Sequence, residues 1–167
     1  FFLSYKEYAH MGTEGARDFE LATCEIFKKI IKMRVKHVGP IGNTPDVFVE
    51  SEEGKYCGII DNKAYKKGYS ITGDHSRVMK DVYIPNVNVY GEAKYPLAFF
   101  TYIAGSFGTN INSQIQSLYS ETGVCGSAMP VDIFINIVQD YAEKGYDHYI
   151  LRNIFSVNRE VRLSDIR

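Results

Sequence analysis

An α/β domain, a mixed β-sheet flanked by helices, is the architecture this sequence predicts, and three observations predict it. Helix-type and strand-type periodicities alternate along the chain instead of segregating into blocks. One segment, PLAFFTYIAG at 96–105, is apolar without interruption, as a strand covered on both faces must be. No repeat, low-complexity tract or composition shift divides the 167 residues, and 45% hydrophobic content suffices for one sizeable core. A single domain over 1–167 follows.

The elements can be justified in order. A short helical piece lies near Tyr5 to Met11. The next helix, GTEGARDFELATCEIFKKIIKMR, takes Thr13 as N-cap and Glu14 in its first turn, and its apolar stripe Phe19, Ala22, Ile26, Ile30, Met33 has helical spacing. TPDVFVE and KYCGIIDNKAY read as two strands around the turn SEEG, rich in Val, Ile, Tyr and Phe and bounded by Pro45 and Gly54, hence a hairpin. GDHSRVMKDVYI is a short helix ending before Pro85, 96–105 the apolar strand, and NSQIQSLYSET a helix stopped by Gly123. VCGSAM is a short strand, and Pro130 then starts the helix VDIFINIVQDYAEK, which Gly145 ends. The tail after Asp147 reads as strand. The order α, β, β, α, β, α, β, α gives a mixed sheet with helices on its faces.

Composition excludes several classes. With 19 basic against 20 acidic residues the formal charge is −1, so the chain as a whole is a poor polyelectrolyte partner for nucleic acid, and DNA binding must come from a local patch or from another domain. Cys24, Cys57 and Cys125 are widely separated and set in apolar runs, which reads as buried thiols in a reducing compartment; no zinc-ligand spacing occurs. No secretory core and no apolar stretch near the membrane-spanning length is present. The chain begins FFLSYKEY without an initiator methionine, which reads as a piece of a longer protein.

The most informative stretch is GIIDNKAYKKGY at 58–69, a strand core that ends on charge. Strand side chains alternate, so Asp61 and Lys63 share one face and Asn62 takes the other. With residues 52–55 as a four-residue loop, Ser51 faces Tyr56, Phe48 faces Ile59 and Asp46 faces Asp61. Two opposed carboxylates in a sheet lie roughly 5 Å apart at Cβ and repel unless something positive sits between them. Glu20 supplies a third acid, in a helical row with the apolar Cys24, Phe27 and Ile31 that turns it inward. Each feature alone has an ordinary explanation: Asp46 after a proline as a turn former, D-x-K by chance, Glu20 at an amphipathic edge. Together, P-D, fourteen residues and D-x-K on neighbouring strands after a helix with an inward acid suit Mg²⁺, which takes oxygen ligands and leaves positions to water and phosphate.

On these residues the chain resembles the PD-(D/E)xK nucleases, with their restriction-endonuclease-like core, and within them the cleavage domain of FokI-type type IIS restriction endonucleases. The family strand D-x-K-A-Y-x-x-G-Y stands here as Asp61, Lys63, Ala64, Tyr65, Gly68 and Tyr69, and P-D as Pro45 and Asp46. The helical FE at Phe19 and Glu20, AGSF at 104–107 and TGVCGSA at 122–128 are also similar to the family. Where family members carry basic residues just before P-D this chain has Asn43 and Thr44, and Val47 replaces the glycine after Asp46.

The resemblance implies Mg²⁺-dependent hydrolysis of double-stranded DNA to 5′-phosphate products, with Mn²⁺ as a substitute ion. Asp46, Asp61 and the Asn62 carbonyl hold the metal, Lys63 orients the attacking water and offsets charge on the phosphate, and Glu20 holds a water of the ion's shell or supports a second ion. It also implies a cytoplasmic prokaryotic restriction system, a DNA-recognition domain elsewhere in the full-length chain, and a homodimer during cleavage. Relatives pair an acid and a base spaced four apart on the helix after the active site, and this chain has Arg77 and Asp81 there, the same charges reversed. The other readings are a structure-specific or repair nuclease of the same core, against which the D-x-K-A-Y-x-x-G-Y match counts, and an inactive DNA-binding or assembly module, against which the complete Asp46, Asp61, Lys63 set counts.

Weaker signals complete the reading. Lys66 and Lys67 follow the charged strand closely and are candidates for DNA phosphate contact. KKIIKMRVKH puts Lys29, Lys32 and Lys36 on one helical face, read as solvated with Glu25 pairing to Lys29. GSFG at 105–108 lacks the following G-K-S/T of a phosphate loop and reads as a turn, no G-x-S-x-G exists, and His75 reads as a surface residue.

Overall fold

The structure, a computed structural model, describes residues 1–166. One sheet of six strands, in the spatial order β1 to β6, organises it. The strands are β1 (Arg34–His37), β2 (Val47–Ser51), β3 (Tyr56–Lys63), β4 (Leu97–Ala104), β5 (Cys125–Pro130) and β6 (Arg159–Glu160). The first three pair antiparallel and the last three continue from β3 in parallel, so the sheet is mixed as predicted. Parallel pairing requires crossovers, and helices supply them. These are α3 (Gly73–Val78) with α4 (Val87–Gly91) before β4, α5 (Ile111–Thr122) before β5, and α6 (Val131–Lys144) with α7 (His148–Phe155) before β6. At the N-terminus α1 (Phe2–His10) and α2 (Thr13–Glu25) pack together on one face.

Two apolar clusters sandwich the sheet. One gathers α1, α2, α6 and α7 around Phe19, Phe27, Ile60, Phe99, Phe134 and Phe155. The other lies under α5 and the segment after β3, around Phe48, Ile59, Tyr69, Phe100, Tyr102 and Leu118. β3 and β4 are buried on both faces, which is why their sequences read as apolar runs.

Four expectations change. Gly12, at φ 69°, is the N-cap of α2, so Thr13 is its first residue. Beyond Glu25 the helix widens into a π-helix over Ile26–Ile31, which keeps Ile26, Phe27 and Ile31 all buried, and it stops at Lys32 in the left-handed conformation. The reversal there lets residues 34–37 pair with β2, so Lys36 stands on a strand and does not share a helical face with Lys29 and Lys32. Glu25 does pair with Lys29, at 2.6 Å. The tail is mainly helix: Asp147 caps α7 by accepting from Ile150 N at 2.9 Å, and His148, Leu151, Ile154 and Phe155 bury one face. Among the described residues of the tail only the two-residue β6 is strand.

Glu50 fixes the start of β4. It is 3% exposed and accepts from the Arg34 guanidinium at 2.7 Å, from Lys94 N at 2.7 Å and from Tyr95 N at 3.0 Å. Glu50→Ala leaves two backbone N–H groups without their acceptor and takes the carboxylate from the Arg34 guanidinium, which keeps the Gly91 and Glu92 carbonyls, and is expected to lower stability by about 2 kcal/mol. Chemical denaturation checks it: an unchanged midpoint would mean that other contacts hold the 91–95 segment.

Candidate active site

The hairpin register is the counted one. Ser51 pairs with Tyr56 and Phe48 with Ile59, and the ladder runs to Val47 opposite Ile60. One step further, the Asn62 N–H donates to Asp46 Oδ2 at 2.6 Å, so P-D and D-x-K are joined directly across the two strands. Asp61 is 5% exposed, and Lys63 on the same face donates to its Oδ2 at 2.8 Å. Below them the Lys63 ammonium stands 5.6 Å from the centroid of the Tyr69 ring.

Glu20 reaches the same place from α2. A Cβ added at Gly39 would lie 2.8 Å from Glu20 Oε1 and 3.6 Å from Asp46 Oδ1, so both carboxylates converge over Gly39. Glu20 Oε1 is 3.0 Å from His37 Nε2, and a cleft of about 320 Å³ is lined by Arg17, Glu20, His37, Gly39, Pro40 and Asp46. Arg17, His37 and Gly39 were missed by sequence reasoning. The available signal was R-V-K-H as a strand, since its pairing of His37 with Val47 places the imidazole next to Asp46.

Electrostatics follow from this crowding. Burial, then the Asp61 and Glu20 carboxylates, push the Asp46 carboxyl well above the usual range, against the Asn62 N–H that favours its charge. For Lys63 burial works against the charge, yet Asp61 and Asp46 together hold it above the ordinary lysine range. The group is thus three acids with one ammonium, a surplus of negative charge. Among the described residues no three His, Cys, Asp or Glu side chains are gathered closely enough to enclose an ion by themselves. Two carboxylates and a main-chain oxygen, completed by water and phosphate, are a hard-oxygen set that fits Mg²⁺ and does not suit a soft metal.

The remaining predicted residues lie around this centre. Lys66 and Lys67 are exposed on the segment leaving β3, with the Lys66 stem over Gly12 at the α1–α2 turn. Arg77 on α3 and Asp81 on the π-helical turn Met79–Tyr83 are exposed, and no ion pair joins them among the described residues. His75 is not a surface residue: it is half-buried, with Nδ1 2.7 Å from the Tyr69 hydroxyl, because the buried phenol needs a polar partner.

A mixed sheet with P-D and D-x-K side by side at the edge of a cleft defines the class as a nuclease cleavage domain. Within that class, the model of the FokI cleavage domain matches residues 1–162, and the chain belongs to that family. The type II restriction enzyme StsI of Streptococcus sanguinis is 26% identical over 74% of this chain. The restriction endonuclease FokI superposes with a TM-score of 0.83 over 94% of the chain, and FokI bound to DNA with 0.82 over 96%, both at 22% identity. The chain spans 22% of the length of StsI and 30% of the FokI chains.

Proposed function

We propose that this domain is the Mg²⁺-dependent cleavage module of a type IIS restriction endonuclease, cutting double-stranded DNA without sequence preference of its own. A DNA-recognition domain elsewhere in the same full-length chain would direct it, and a prokaryotic cytoplasm is the setting. The observation that carries the reading is the 2.6 Å bond from Asn62 N to Asp46 Oδ2, which joins the two halves of the motif.

Asp46, Asp61 and the Asn62 carbonyl would hold the ion, Mg²⁺ or Mn²⁺ in its place. When bound, it supplies Lewis-acid polarisation of the scissile phosphate and a more acidic water. Lys63 is kept charged and aimed by Asp61, so its ammonium orients the attacking water and offsets the charge that develops on the phosphate. As the water oxygen bonds to phosphorus the P–O3′ bond breaks; the water gives up a proton to solvent, the 3′ oxygen takes one from solvent to leave as the 3′-hydroxyl, and the 5′ side keeps the phosphate. Lys66 and Lys67, exposed beside the site, are placed to contact the DNA backbone. During cleavage two copies pair through Arg77 and Asp81.

Fused to a DNA-binding domain of known site, the chain is expected to linearise plasmid with Mg²⁺ and to stop with EDTA. Linearisation that persists in EDTA refutes the metal-dependent reading. Glu20→Gln is expected to slow cleavage about 10-fold without abolishing it, because Glu20 acts beside the ion and stays tied to His37. Loss as complete as that of Asp61→Ala would make Glu20 a direct ligand.

A further inference from the structure

Asp61 and Lys63 turn to one face of β3, while Asn62 between them turns to the other, into the cluster built by α1 and α2. There its Nδ2 donates to Thr23 Oγ1 at 2.8 Å. Thr23 Oγ1 is also 2.8 Å from the Tyr5 hydroxyl and donates to the Phe19 carbonyl at 2.9 Å. Because the single Thr23 hydroxyl proton goes to the Phe19 carbonyl, the Tyr5 hydroxyl is the donor to Thr23. A hydroxyl has one proton and two lone pairs, and all three are used here.

That saturation sets the Asn62 amide. Turning it over would aim Oδ1 at Thr23, whose only proton already goes to Phe19 O. The amide therefore keeps its NH₂ toward Thr23, although Oδ1 is buried with no partner among the described residues. Tyr5 and Thr23 are fully buried and Asn62 is 8% exposed, so the string crosses an otherwise apolar core, where polar groups hold one geometry or are costly. Its far end is the peptide whose N–H holds Asp46 Oδ2.

We propose that Tyr5 and Thr23 are positioning residues that, through the Asn62 side chain, hold the Asn62 backbone and the Asp46 carboxylate bonded to it in their ion-binding arrangement, making the N-terminal helices part of the site. This rests on the metal-dependent reading above, and the test separates the two. Mn²⁺ binding to the full chain without DNA, followed by electron paramagnetic resonance well below the melting temperature, is the readout. Thr23→Val is expected to bind Mn²⁺ about 10-fold more weakly, and Thr23→Ser, which keeps the hydroxyl, to bind as the parent does. Tyr5→Phe, which opens no cavity, should weaken binding in the same direction by less and covers the case in which Thr23→Val does not fold. Parental binding by both Thr23→Val and Tyr5→Phe, whatever their melting temperatures, overturns the inference and leaves the nuclease reading intact. Equal weakening of Thr23→Val and Thr23→Ser also overturns it, since packing would then be the cause. A parent that binds no Mn²⁺ overturns the metal-dependent reading and this inference with it.

Discussion

Alanine at Asp46, Asp61 or Lys63, one at a time, is expected to lower plasmid cleavage by at least about 10²-fold while the protein stays folded. The three groups are linked: Lys63 is on Asp61 at 2.8 Å, and Asp46 accepts from the N–H of Asn62, the residue between them. Without an ion the cluster opposes folding, because burial and two neighbouring carboxylates disfavour the charge of Asp46. A carboxyl whose pKa rises on folding is protonated in the native state after it has ionised in the unfolded one, so stability falls as pH climbs from the unfolded carboxyl range toward the raised value. Asp46→Asn keeps an oxygen for the Asn62 N–H and removes the charge. In EDTA it should melt several degrees above the parent at pH 8, with a smaller gain at pH 5. Cleavage assays and melts at the two pH values decide both halves, and a variant with near-parental cleavage leaves the proposed site.

Arg77→Asp and Asp81→Arg are each expected to nick supercoiled plasmid yet linearise it poorly, and an equimolar mixture of the two to restore linearisation. One D-x-K site cuts one strand, so a double-strand break needs two domains. In the proposed two-fold interface residue 77 of one copy would meet residue 81 of the other, and the reverse. Both side chains are exposed and not spent on each other, whereas the neighbouring Lys80 is engaged with Glu121 at 2.9 Å. Arg77→Asp places acid against acid at both contacts, and Asp81→Arg places base against base, while the mixture regains opposite charges. If both single variants linearise plasmid as the parent does, or mixing recovers nothing, the contact lies elsewhere.

Most of the candidate site was legible in the sequence, for reasons that apply to hairpins. A four-residue loop between two strands fixes which residues face each other, and the period of two fixes which share a face. The neighbourhood of Asp46, Asp61 and Lys63 therefore follows from counting. The same holds for α6, bracketed by Pro130 and Gly145, and for the unbroken apolar β4. Short elements were less legible. Residues 34–37 look like the end of a long helix until the left-handed Lys32 turns them onto β2, and α7 hid its helical spacing in a tail.

By itself, then, the sequence determined the mixed α/β architecture, the hairpin register and the pairing of P-D with D-x-K, because each depends on spacing within one or two adjacent segments. Tertiary structure alone decided the groups around that pair: His37 and Arg17 beside Glu20, His75 on Tyr69, and Tyr5 through Thr23 on Asn62. These contacts join segments that meet only when helices dock on the sheet. Which side chains then touch depends on the packing distance and angle between elements, and periodicity along the chain carries no information about either.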